Sequence, residues 1–406
     1  MASNSEPEVM KGRPDPTPRP TELVQGYLHQ RIQKYRELAE LQKQVGIYPI
    51  IWCASLGCLL IDLYKGWESK KADTYFQTLQ KKADHANLEE RTRFLQLMQR
   101  IGDELHRVTS ALSVRLIQGS GPAILDLCMA PGGFSMAALR HNPNATLHGI
   151  SLPQSQGGHP LLIPDWENNP KITVDFRDIT MLAVEMGLAA DLSDIPASHP
   201  DRSAFSPDRP FQGMEFDLVL ADGQVLRTHP RLSYRDKCEE LRLLTSQLVL
   251  ALQRVRHGGT IVVLLHRIDS WRSVRLMHTF AAFSNIQLFK PRTGHAIRTS
   301  FYLVARNIRP SAPSALEAVA AWKEQWKAST LEEKLESDQE AADTASDDMV
   351  NDVMDTFGPT LARLAVPVFS IQVAALRRAP FMGGNTGKNK GYLRAGGSRH
   401  EGARWR

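Results

Sequence analysis

Between residues 121 and 309 short apolar runs alternate with helix-like segments, and this alternation restricts the fold more than any other feature of the chain. AILDLC, ATLHGISL, ITVDF, FDLVLADG, GGTIVVLLH, IQLFK and SFYLVAR have the length and composition of strands. Nearly all-apolar strands, spaced to leave room for crossover helices, predict an α/β fold with a mostly parallel sheet covered on both faces. DKCEELRLLTSQLVLALQRVRHGG reads as one crossover helix, with Gly258 and Gly259 as its stop. The last two runs, joined by a short basic loop, predict an antiparallel hairpin at the sheet edge.

The flanking segments have other textures. Residues 1–20 are polar and proline-rich and are expected to be a disordered arm without a secretory signal. Residues 21–118 carry helical periodicity, and nothing in it decides between a separate bundle and a cap on the sheet. IYPIIWCASLGCLLIDLY, the most apolar stretch, is short for a membrane span and reads as a buried helix. Beyond the sheet region (119–310) the pattern predicts a helix over 311–330, an acidic linker over 331–358, a docking helix over 359–381 and a basic, glycine-rich tail over 382–406. Cys53, Cys58, Cys128 and Cys238 have no paired spacing, so neither a metal site nor a disulfide framework is expected, and a reducing compartment, cytoplasmic or nuclear, fits. The formal charge of +5 and the basic tail favour a polyanionic partner.

A chemical site is suggested where the first strand meets a helix. In DLCMAPGGFS, Asp126 precedes a turn of Ala130, Pro131, Gly132, Gly133, Phe134 and Ser135 that lacks the dinucleotide GxGxxG pattern. Asp178 and Asp222 stand at or just past the ends of two further strands, so three acids should converge on one crevice. Such a crevice suits a cationic ligand.

These features resemble the FtsJ-like (RrmJ-like) methyltransferases, which use S-adenosylmethionine (SAM) to methylate ribose 2′-hydroxyls of RNA. VDFRDI, FDLVLADG, GGTIVV and FKPRTGHAIRTSFYLVAR match that family's later segments in order. The resemblance implies a Rossmann-like methyltransferase domain with SAM over the Ala130–Ser135 turn, near Asp126 and Ser151. It places Asp178 on the adenine and Asp222 beside the methyl group.

The likeness breaks at the family's Lys-Asp-Lys-Glu tetrad, of which only Asp222 is present. Leu264 stands at the second lysine and Ser300 at the glutamate, with His266 one strand step beyond Leu264. The first lysine has no counterpart, His106 and Arg107 being the nearest cations. His266 is therefore the candidate second catalytic group. Arg267, Lys290, Arg292, His295 and Arg298 are candidates for holding RNA phosphates. Three readings stay open: an RNA methyltransferase, a catalytically inactive RNA- or protein-binding module, and a small-molecule methyltransferase.

Overall fold

The computed structural model describes residues 20–44, 87–114, 121–331 and 345–382. The proline-rich arm, the apolar stretch of residues 47–64, the core of the acidic run and the basic tail lie outside them.

The strands are β1 (Ala123–Leu127), β2 (Thr146–Ser151), β3 (Ile172–Phe176), β4 (Phe216–Ala221), β5 (Val255–His266), β6 (Asn285–Phe289) and β7 (Ser300–Arg306). They form one sheet in the order β3-β2-β1-β4-β5-β7-β6. The first five are parallel, and β7 runs antiparallel between β5 and β6. The expected edge hairpin is thus present, with β6 outermost.

Period-two alternation sends successive side chains to opposite faces. Ile124, Leu218, Leu220, Val262 and Val304 enter one core, beneath α3 (Leu88–Thr109) and α4 (Gly133–His141). Leu125, Leu127, Val219, Ala221, Val263 and Leu303 enter the other. That side is covered by α5 (Glu239–Arg254), α6 (Trp271–Phe283) and α7 (Pro313–Leu331). Trp271 and Trp326 are fully buried there, and truncating a side chain of that size costs about 3–5 kcal/mol. The Trp326 indole N–H is satisfied by the Thr180 carbonyl at 3.0 Å.

The helices outside the sheet region divide between the two sides. α3 lies on the cavity side, its start fixed by a reciprocal cap in which Asn87 and Glu90 satisfy each other's backbone N–H. α1 (Pro20–Arg31), α2 (Gln33–Gln44) and α8 (Asp347–Leu376) form a second layer against α6 and β6. α8 is the described helix long and apolar enough to cross a membrane. Its Phe357, Leu361 and Phe369 are buried with α1 and α2 in the core. Gly358 lets Tyr27 approach, since a Cβ there would lie 2.4 Å from the Tyr27 hydroxyl.

Two expected boundaries shift. α5 ends at Arg254, not at the glycine pair, because the buried Arg254 guanidinium pairs with Glu185 and donates to the Pro210 carbonyl. Gly258, at φ +79°, and Gly259 instead form an irregularity in β5, where its register against β4 shifts between Phe216 and Leu218. The acidic linker is shorter than 331–358, because Ser346 caps α8 and the acids Asp347 and Asp348 fall in its first turn.

Candidate functional site

A cavity of about 720 Å³ opens at the carboxyl ends of the central strands, within the size range of small-molecule sites. Asp126 shares the α3/α4 face of the sheet with Ile124, and Asp222, one residue past β4, continues the alternation of Leu218 and Leu220. Ser151, Asp178, Leu264, His266 and Tyr302 complete the floor and its margins.

Ala130, Pro131, Gly133 and Phe134 line this cavity, whereas Gly132 and Ser135 do not. The glycines are required for protein packing. Gly132, at φ +101°, starts α4 in a left-handed conformation, and a Cβ there would lie 2.5 Å from Ile163 Cγ1. A Cβ on Gly133 would lie 2.4 Å from Met98 Cβ and 2.8 Å from the Leu95 carbonyl oxygen. The turn is therefore shaped by α3 behind it. Ser135 points inward and donates to Asp126, and the Ala130 N–H donates to Ser151 Oγ at 3.3 Å.

The three acids differ electrostatically. Burial, reinforced by the charge of Asp222, raises the pKa of Asp126, whose Oδ1 is buried without a partner. Burial also pushes Asp222 up to about 7. The two carboxyls form a coupled pair that retains a proton near neutral pH. Asp178 behaves oppositely: burial opposes its ionisation, but the Arg235 guanidinium, His229 and Thr180 outweigh it and hold the pKa below the usual carboxylate range. Its Oδ2 accepts from Arg235 at 2.8 Å, and its Oδ1 accepts from the Thr180 N–H and hydroxyl at 2.9 and 2.7 Å. Asp178, His229 and Glu239 lie close enough to hold a cation, but Arg235 already bridges Asp178 and Glu239.

Of the cations expected at the mouth, His295 and Arg298 line the cavity, whereas Lys290, Arg292 and Arg267 do not. Lys290 is buried, donating to the carbonyls of Arg298 and Ser300, and burial with the Arg298 charge lowers its pKa to about 7. It braces the β6–β7 loop from within. Arg292 contributes its backbone N–H to Glu104 of α3 at 3.0 Å. Arg267 pairs with Asp269, which also accepts from Gln25 and Tyr35 of the N-terminal helices. His266 does reach the cavity, with Nε2 2.8 Å from Gln224 Oε1. Burial and the charges of Lys290 and Arg298 lower its pKa to about 4, leaving a neutral imidazole near pH 7. The same causes, with Arg298 foremost among the charges, depress His295 to about 3.

One wall was not legible in the sequence. Phe94, Leu97 and Met98 of α3 face the cavity, and Leu97 closes on Gly294 of the β6–β7 loop. His106 and Arg107 are not among the lining residues. His106 instead stacks on His141, with ring centroids 3.7 Å apart. Tyr302 was also missed, although its period-two spacing from Ser300 along β7 was a usable signal.

The family model for FtsJ-like methyltransferases matches residues 105–308. The chain belongs to the FtsJ-like methyltransferase family. It is accordingly a SAM-dependent methyltransferase, with SAM as its cofactor. The cavity fits this group, because the unpartnered Asp126 Oδ1 and the Asp222 carboxyl suit a sulfonium, while apolar walls suit the adenosine. SAM supplies an electrophilic methyl group when bound.

No curated protein matches the sequence. Similar solved structures include a Plasmodium falciparum protein assigned as a ribosomal RNA methyltransferase (16% identity, 52% of this chain and 96% of that one, TM-score 0.32). Thermus thermophilus TrmN is 15% identical over 51% of this chain and 48% of its own, with a TM-score of 0.29. Human methyltransferase-like protein 13, solved with SAH, is 12% identical over 58% and 90%, with a TM-score of 0.26.

Proposed function

We propose that this FtsJ-like protein methylates ribose 2′-hydroxyls of RNA. The observation carrying the reading is that one cavity joins the turn before α4, the Asp126–Asp222 pair and a mouth bearing His266, His295 and Arg298. In this reading Asp126, Ser151, Asp178 and the turn residues Ala130, Pro131, Gly133 and Phe134 hold SAM. Asp222 lies beside the methyl group as the acceptor's proton partner, with His266 as the second polar group at the reaction centre. Arg298 and His295 hold the RNA backbone, and the basic tail of residues 382–406 adds phosphate contacts. Lys290, Arg292 and Arg267 do not line the cavity and take no part in this reading.

The test is transfer of labelled methyl from SAM to total cellular RNA, followed by nucleoside digestion. Label in 2′-O-methylnucleosides, abolished by Asp222→Asn, is the expected result. Label on a base would assign a different acceptor. A second reading, SAM and RNA binding without catalysis, is favoured by Leu264 and Ser300, which stand where the family has a lysine and a glutamate. It predicts calorimetric SAM binding with no transfer to any RNA.

A further inference from the structure

The hydroxyl of Tyr302 is a buried donor without a hydrogen-bond partner, on a cavity-lining residue only 1% exposed. Native proteins seldom leave such a group unpaired. The ring is held in place by Phe134 and Phe289, with centroids 5.4 and 6.0 Å away. Strand register then determines what the hydroxyl faces. Leu264 lies opposite Tyr302 across β5 and β7, and the β4–β5 pairing ends with Ala221 opposite Val263. Asp222, Leu264 and Tyr302 thus form a row across three adjacent strands. Two strand spacings, about 10 Å, separate the backbones of the outer pair, and the phenol is near enough to feel the Asp222 charge. Burial and the charge of Asp222 keep the phenol protonated, hence a donor.

We infer that Tyr302 and Asp222 together grip the acceptor hydroxyl, whose oxygen accepts from the tyrosine O–H while its own proton is donated to the carboxylate. This deepens the RNA-methyltransferase reading and rests on it. The pair demands one group that both accepts and donates through the same atom. A hydroxyl does so; among the other groups of RNA, an unsubstituted ring nitrogen has no proton for Asp222, and an exocyclic base amine has its lone pair delocalised into the ring and offers none to Tyr302. The grip therefore selects an oxygen acceptor and aims its remaining lone pair at the methyl donor. On transfer the oxygen bonds the methyl carbon and the carbon–sulfur bond breaks with its electrons passing to sulfur. The hydroxyl proton goes to Asp222, and Tyr302 keeps its own.

Tyr302→Phe in the full chain tests this, because it removes one oxygen and keeps the packing. Expected are a fall of about tenfold or more in kcat/KM for RNA, a SAM Kd changed by less than about twofold, and a thermal midpoint equal to or above wild type. Unchanged transfer, or loss of transfer together with SAM binding, would overturn the inference. A second measurement needs no turnover: binding of an oligoribonucleotide and its 2′-deoxy counterpart in the presence of SAH. Wild type should prefer the ribose form and Tyr302→Phe should lose most of that preference; an unchanged ratio counts against the grip. A wild type that neither binds nor methylates RNA overturns the underlying reading and this inference with it, a result visible without the variant.

Discussion

Binding of SAM should expel a proton, because its sulfonium enters a site whose acids hold one. Asp222 has a pKa of about 7 in the free protein, raised by burial. A unit cation about 4 Å from that carboxylate contributes about 4 kcal/mol at an effective dielectric of about 20, equivalent to a fall of about three pKa units. At pH 6 the free carboxyl is then about 90% protonated and the bound one almost fully ionised, so about 0.9 proton leaves on binding. At pH 8 the figure is about 0.1, and SAM should bind about tenfold more tightly there than at pH 6. The neutral thioether SAH should trigger neither effect. Calorimetry in two buffers of different ionisation enthalpy counts the protons directly, with Asp222→Asn as the control that should release markedly fewer, Asp126 being the acid that remains. Equal release on binding SAM and SAH, or release undiminished in Asp222→Asn, would refute the reasoning.

The same acid sets a stability trend. A folded-state pKa above the unfolded value gives stability that is present at low pH and lost as pH rises through the folded value, so Asp222→Asn should raise the thermal midpoint of the cofactor-free protein at pH 8 but not at pH 4. Gly133→Ala places a methyl against Leu95 and Met98 of α3, and urea unfolding should register a loss of about 1–3 kcal/mol. Asp178→Ala removes a partner from the buried Arg235. It should cost about 3 kcal/mol in denaturant unfolding, reduced to the extent that Glu239 compensates, and should weaken SAM binding by calorimetry. Glu104→Ala withdraws the acceptor of the Arg292 N–H, and hydrogen exchange in the β6–β7 loop should accelerate several-fold without change in β5.

The sheet was readable because apolar runs and their spacing are local properties of a chain. Asp126 and Asp222 could be brought to one cavity because acids at the carboxyl ends of several parallel strands converge there, a property of the joint pattern and not of either acid alone. Lys290 misled because its role depends on two carbonyls eight and ten residues away, brought to its ammonium only when β6 and β7 pair. Gly258 and Gly259 look like a helix stop in one dimension; Arg254, held by Glu185 far along the chain, ends the helix first. The α3 wall was hidden for a similar reason. An amphipathic helix advertises which face is apolar, but its stripe does not reveal whether that face meets a core or a ligand.

The close approach of Gly133 to Leu95 and Met98 has a practical corollary. The family match begins at residue 105, yet the backing of the turn before α4 and one side of the cavity come from residues 94–98. A fragment excised at the homology boundary would keep every family motif and lose the helix against which the first of them is moulded. For this protein the smallest unit that can be expected to hold the cofactor starts at the Asn87 cap, a whole helix upstream of where sequence similarity begins.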